Sequence, residues 1–364
     1  MTLEDIIAQS INENKGPIGF DVFMDLALYT PTLGYYRRGG VIFGEQGDFV
    51  TAPEISDLFG YCLAKQSLAI IKDGGCILEF GAGTGILAAQ ILFELARLDS
   101  LPEKYYILEL SGQLQQQQKQ TISKVLPELI ERVEWLSRLP IGFSGVVVAN
   151  EVLDAMPAKR VRYHDGRFFE MAVTVNNNTF QYQLLDKPFD DSLTPLPQNC
   201  EEGYITEVNE QALAWVESLY ETMNSGLVLL VDYGMSRSEY HHDQRTEGTF
   251  RCYYQHKVSD NPFENIGLQD MTTSVNFSDV AERALESGFT VEGYCTQAMF
   301  LISLGIDQYL LNEKDLDRRD ILAQQVKQLV LPNAMGESFK VMALTKKQTV
   351  KLGGFKEQNL VNKL

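Results

Sequence analysis

The stretch Cys76-Ile77-Leu78-Glu79-Phe80-Gly81-Ala82-Gly83-Thr84-Gly85-Ile86 decides the fold. It begins as a short apolar run, passes through three glycines spaced two apart, and opens onto Ile86, Leu87, Ile91, Leu92 and Leu95, whose spacing predicts a helix over 86–98. Outward from it, strand and helix signals alternate: a strand from Tyr105 to Leu110, a helix from Gln113 to Leu126, then the apolar runs Gly145 to Ala149 and Leu227 to Val231. Runs that are continuous rather than alternating are expected where both faces of a parallel sheet are covered. A helix at 278–287, a strand at 289–295, a helix at 316–331 and a closing strand at 339–344 complete the pattern. It predicts an α/β protein with a doubly wound, Rossmann-like sheet occupying 76–157 and 226–346.

Three further segments are set apart. Residues 1–75 read as an N-terminal helical and loop segment broken at Gly16-Pro17, Thr30-Pro31 and Gly39-Gly40, with Gly44 to Thr51 a loop feeding an amphipathic helix that runs from Ile55 to Ile71. Residues 158–225 read as an antiparallel β insertion capping the substrate, followed by a return helix, with turns at Asp165-Gly166 and Asn176-Asn177-Asn178. Residues 234–275 read as a long irregular loop, and 347–364 as a loosely ordered polar tail. The run Gln115 to Gln118 is placed on the solvated face of its helix.

The chain has 364 residues, which suits two domains, or one large α/β domain with insertions, at about 150 residues per domain. Its 31 basic and 49 acidic residues give a net charge of −18, which argues against nucleic acid as the partner and is compatible with a basic substrate. No apolar run approaches the roughly 18 to 20 residues of a membrane span, so no membrane insertion is expected. The five cysteines lie far apart and suggest neither disulfides nor a metal site. With no secretory signal and an acidic start, Met1-Thr2-Leu3-Glu4-Asp5, a cytoplasmic location is the default expectation.

The glycine loop narrows the ligand. A dinucleotide fingerprint would place a third glycine where Ile86 stands; here it falls one position earlier, at Gly85, which favours S-adenosylmethionine over NAD. That cofactor has no pyrophosphate, so Gly81, Ala82, Gly83 and Gly85 would lie beside its ribose and amino-acid moieties, and Glu79 would meet its ammonium group. Glu109, at the end of the next strand, is placed to accept hydrogen bonds from both ribose hydroxyls. Directly after the strand Gly145 to Ala149 comes Asn150-Glu151-Val152-Leu153-Asp154-Ala155-Met156-Pro157. Ligands of open parallel sheets bind beyond the carboxyl ends of the strands, so Asn150, Glu151 and Asp154 should face the cofactor and the methyl acceptor, whereas Asn150 or Asp154 could equally cap a turn.

These blocks resemble the MidA-like class I methyltransferases. The resemblance rests on Gly47-Asp48-Phe49-Val50-Thr51-Ala52-Pro53-Glu54-Ile55-Ser56 with Phe59-Gly60, on Tyr29-Thr30-Pro31-Thr32-Leu33-Gly34-Tyr35-Tyr36, and on the cofactor loop and the Asn150 to Pro157 block. It extends to Val231-Asp232-Tyr233-Gly234, Tyr254-Gln255-His256, Asp270-Met271-Thr272 and Val275-Asn276-Phe277-Ser278. Ala82 stands where the family often has proline, and Asn276 where it usually has an acid. The family's mitochondrial branch acts in respiratory complex I assembly, so the resemblance implies methylation of a protein arginine and, as partner, a respiratory complex subunit. Carboxylates would then orient the guanidinium, with Glu151 and Asp154 as the clamp, Glu54 as a third, and His256 as a substrate contact or proton acceptor. A non-catalytic assembly factor that keeps the fold is the second reading and an NAD-dependent dehydrogenase the third. The oligomeric state is left open.

Overall fold

The structure, a computed structural model, describes residues 1–38, 50–72, 74–198 and 200–364. The chain divides into two compact units, one comprising Val50–Leu153, Trp215–Met235 and Val280–Leu364, the other Met1–Phe49, Asp154–Ala214 and Ser236–Asp279. Residues 50–75 therefore group with the sheet rather than with the N-terminal segment.

The first unit holds the strands β1 (Cys76–Phe80), β2 (Tyr105–Leu108), β3 (Val133–Leu136), β4 (Phe143–Asn150), β5 (Met223–Met235), β6 (Thr290–Thr296) and β7 (Phe339–Lys346) in the order β6-β7-β5-β4-β1-β2-β3. Neighbours are parallel except for β7, which slots antiparallel between β5 and β6. This is the α/β doubly wound sheet read from the sequence. Val146 to Ala149 and Leu227 to Val231 are all 0% exposed, because helices α1 (Asp57–Ile71), α2 (Ile86–Arg97) and α3 (Gly112–Val125) and their counterparts cover the faces. Leu63, Leu87, Ile91, Leu92 and Leu95 pack with Ile77, Val146, Val148 and Leu229 in one apolar core.

Three local expectations are corrected in this unit. The helix read from Ile55 is broken: Ala52–Ile55 forms a single turn, and Ser56, in extended backbone, caps α1 by accepting from the Leu58 N–H. The preceding Gly44 to Phe49 stretch lies outside the described residues. The tail is also ordered. The Gly354 N–H donates to buried Gln66 at 2.8 Å, and Phe355, 6% exposed, meets Phe300 at a ring separation of 5.5 Å. Beyond it, Gln358 and Asn359 accept from the Thr296 and Tyr294 N–H groups, so side-chain amides close the outer edge of β6. Lastly, the Gln115 to Gln118 run is not a uniformly solvated face, because Gln118 is 0% exposed.

In the second unit, strands over Lys159–His164, Arg167–Asn176, Thr179–Pro188 and Ile205–Val208 form an antiparallel sheet, as the turn signals predicted. Asp165, Gly166, Asn177 and Asn178 all have positive φ, which is the reason these residue types stand there. The N-terminal helices Leu3–Glu13 and Phe20–Tyr29 pack their apolar faces with Val173, Phe250 and Met271. Inside this unit Arg160 is buried, paired with Glu207 at 3.2 Å and lying 5.2 Å from the Phe250 ring centroid. The stretch read as irregular contains a small antiparallel sheet of Arg251–Tyr254, Lys257–Ser259 and Asp270–Thr272. His241, within the stretch read as a long irregular loop, is largely enclosed, and burial with Arg237 nearby pushes its imidazole down to about 4.

Candidate active site

β1 delivers the chain into Gly81-Ala82-Gly83-Thr84-Gly85, and each glycine of this loop has positive φ: 60° at Gly81, 51° at Gly83 and 84° at Gly85. At two of them space is also required. A Cβ on Gly85 would lie 2.9 Å from the Gln118 Cα, and one on Gly81 would lie 3.2 Å from the Val152 side chain. The loop thus turns tightly while α3 and the segment after β4 both press on it. Thr84 donates to Glu54 at 2.6 Å, which ties Glu54 to the loop, and Gln90 on α2 holds the Glu54 turn by donating to the Pro53 carbonyl.

Two carboxylates sit at the ends of β1 and β2. Glu79, 1% exposed, accepts from the Tyr105 hydroxyl at 2.7 Å, and burial pushes its carboxyl up to about 7 despite that bond. Glu109 follows β2 and is half-buried; its Oε1 accepts from the Ser111 N–H at 2.7 Å and its Oε2 from Gln118 at 3.2 Å, while Gln115 donates to its carbonyl.

At the end of β4 the backbone is strained. Glu151 adopts φ +54°, costly for a residue with a side chain, and is held there by its N–H donating to Val231 at 2.9 Å. Asp232, completely buried on β5, accepts from the Val152 and Leu153 N–H groups at 3.2 and 2.9 Å and from its own neighbour Tyr233. Asn150 donates to Glu151 at 3.1 Å, and its own Oδ1 is buried without a hydrogen-bond partner among the described residues. An orphaned acceptor beside a carboxylate, at a strand end that touches the glycine loop, suits a ligand rich in N–H donors.

The remaining candidates lie in the other unit. Asp154 is its first residue after Leu153; its carbonyl accepts from the Thr273 N–H, and it is among the carboxylates that, after burial and Asp270, hold the Tyr36 hydroxyl well above its ordinary value. Tyr36 donates to Asp270 at 2.9 Å and stacks on Tyr29. His256 is exposed, with φ +60°, in the Gln255-His256 turn of a hairpin. The sequence reading named no role for Gln118 or Asp232. The signal for Asp232 was an acid ending a buried apolar run; for Gln118 there was none, since one glutamine in a run of four looks like any other.

A profile of the family described as S-adenosyl-L-methionine-dependent methyltransferase matches residues 62–295. The chain is 28% identical to "Protein arginine methyltransferase NDUFAF7, mitochondrial" of Danio rerio, across 90% of this chain and 83% of that protein. It is 29% identical to the Drosophila melanogaster homolog, across 91% and 82%, and 28% identical to the Homo sapiens protein, across 94% and 83%. A crystal structure of a COG1565 superfamily member from Burkholderia thailandensis, bound to S-adenosyl-homocysteine, superposes with a TM-score of 0.94 at 36% identity, covering 100% of this chain and 96% of that one. The cytoplasmic expectation is overturned by these curated relatives, which are mitochondrial proteins by name. The acidic first residues on which it leaned do not fix a compartment. Among the described residues, no helix is long and apolar enough to cross a membrane.

Proposed function

Because the chain belongs to the family of S-adenosyl-L-methionine-dependent methyltransferases, we propose that the acceptor of its methyl group is an arginine side chain of a protein partner. S-adenosylmethionine, when bound, supplies an electrophilic methyl group. Gly81, Ala82, Gly83 and Gly85 make room for its amino-acid and ribose moieties, Glu79 receives the ammonium, and Glu109 receives the ribose hydroxyls. Asn150 lines the same strand-end position.

The observation that carries the arginine reading is the Asn150–Glu151 pair: a carboxylate fixed by strained backbone next to a buried acceptor with no donor among the described residues. A guanidinium offers five N–H donors in a fixed fork, so it can satisfy both groups at once while one nitrogen is left toward the methyl. Glu151 stabilises the positive charge and orients the plane, which an arginine nitrogen needs because its lone pair is delocalised. Asp154, three positions on, is the second carboxylate of the proposed clamp, Glu54 the third, acting at the loop through Thr84, and His256 a contact for the partner protein. The names of the curated relatives and the net charge of −18 support a basic protein acceptor. A respiratory complex subunit is the finer reading, on the resemblance of the sequence blocks; nucleic acid is disfavoured by charge.

The test is labelled-methyl transfer from S-adenosylmethionine to respiratory-complex proteins, followed by mass spectrometry of the labelled residue. Methylarginine in the product, lost at least about 100-fold in Glu151→Gln with S-adenosylhomocysteine affinity kept within about twofold, supports the reading. Label on lysine or on a small molecule, or full turnover by Glu151→Gln, refutes it.

A further inference from the structure

Gln118 is enclosed by groups that each tolerate only one polarity. The indole N–H of Trp135, a donor only, meets its Oε1 at 2.9 Å; the Gly83 carbonyl and the Glu109 Oε2, acceptors only, meet its Nε2 at 3.1 and 3.2 Å. The orientation of the amide is therefore fixed, both N–H bonds are used, and the side chain is 0% exposed. Its backbone is as close to the loop as its side chain, since only the missing Cβ of Gly85 permits the Gln118 Cα to approach there. One residue on α3 thus touches the second and third glycines of the loop and the carboxylate at the end of β2.

We propose that Gln118 is a positioning residue for the cofactor ribose, holding the Glu109 carboxylate in one orientation toward the two ribose hydroxyls. The Ser111 N–H restrains Oε1 and Gln118 restrains Oε2, so the carboxylate cannot rotate away, and the cost of ordering it is met before the ligand arrives. The Gly83 carbonyl, held by the second N–H of the same amide, keeps the loop in step with the carboxylate. This inference rests on the reading that Glu109 takes the ribose, so the experiment separates the two.

Titration calorimetry compares S-adenosylhomocysteine with its 2′,3′-dideoxy analogue on the full chain, Gln118→Met and Glu109→Ala, with Trp fluorescence and thermal midpoints checking that each variant is folded. We expect Gln118→Met to bind S-adenosylhomocysteine about tenfold more weakly, the loss of one charge-assisted hydrogen bond, and to bind the dideoxy analogue as the parent chain does. Equal weakening of both ligands would make Gln118 a structural prop of the loop and overturn the proposal, as would unchanged affinity for both. If Glu109→Ala loses discrimination between the ligands while Gln118→Met keeps it, only the role of Gln118 fails. If Glu109→Ala also keeps it, the ribose reading itself fails.

Discussion

Glu79 should make cofactor affinity and fold stability respond to pH in opposite directions. Burial raises its carboxyl from 4.5 to about 7, so near neutrality the free protein holds it partly protonated. An ammonium group beside it favours the ionised form, and binding must draw on that form. From pH 6 to pH 8 the ionised fraction grows from about one-tenth to about nine-tenths, so S-adenosylhomocysteine affinity should rise about tenfold, or about 1.4 kcal/mol. Stability runs the other way. The folded state binds this proton more tightly than the unfolded chain, so the contribution is fully present below about 4.5 and is lost as pH rises through about 7, with about 1.4 kcal/mol of it disappearing between pH 6 and 8. Calorimetry at half-unit steps, in two buffers of different ionisation enthalpy, reads the affinity and the proton released, while urea melts of the free protein read the stability. Glu79→Gln should flatten both components. Affinity that does not change with pH in the parent chain, or a slope that survives in Glu79→Gln, would refute the assignment of the ammonium to this carboxyl.

Replacing Asp232 by Ala removes the acceptor of three backbone N–H groups and should cost about 3 kcal/mol in urea melts while lowering turnover more than cofactor affinity, because the Glu151 turn loosens; a turnover change no larger than the affinity change would show that the turn does not depend on it. Glu207→Gln leaves the buried Arg160 charge poorly paired and should cost about 3 to 5 kcal/mol, whereas the double replacement Glu207→Leu with Arg160→Met should recover part of that loss. A double variant less stable than the sum of its singles would contradict this account. Phe355→Ala should cost about 3 kcal/mol by emptying its place against Phe300, and a midpoint within error of the parent chain would mean the tail is dispensable.

The sheet was readable because its strands are continuous apolar runs separated by glycine or acid, and the loop at Gly81 to Gly85 was readable because its turn needs glycines at φ values other residues avoid. The β insertion announced itself through Asp165-Gly166 and Asn177-Asn178, which suit the left-handed pairs of two-residue hairpins. What stayed hidden depends on partners distant in the chain. Gln118 looks solvated until Trp135, Gly83 and Glu109 are brought round it. The tail looks polar because Gln358 and Asn359 substitute for a strand, and its one large anchor, Phe355, carries no periodicity. The break at Ser56 was masked by apolar residues on both sides, although Ser is a preferred cap. Glu151 could be named as a candidate, but not its strain, which is held by the Val231 carbonyl and by Asp232 on the following residues, both about eighty residues on.

The position of β7 sets a timetable for synthesis. β5 is complete at Met235, yet the strand that pairs along Gly226 to Tyr233 emerges only about a hundred residues later, which at 5–20 residues per second leaves that apolar edge open for roughly 5 to 20 seconds. During that interval the nascent chain presents Leu227 to Val231 as a bare template for pairing with other chains. Its sheet is completed from within, by insertion between two strands already translated, so a ribosome stalled before residue 339 would hold an aggregation-prone intermediate and not a smaller folded protein.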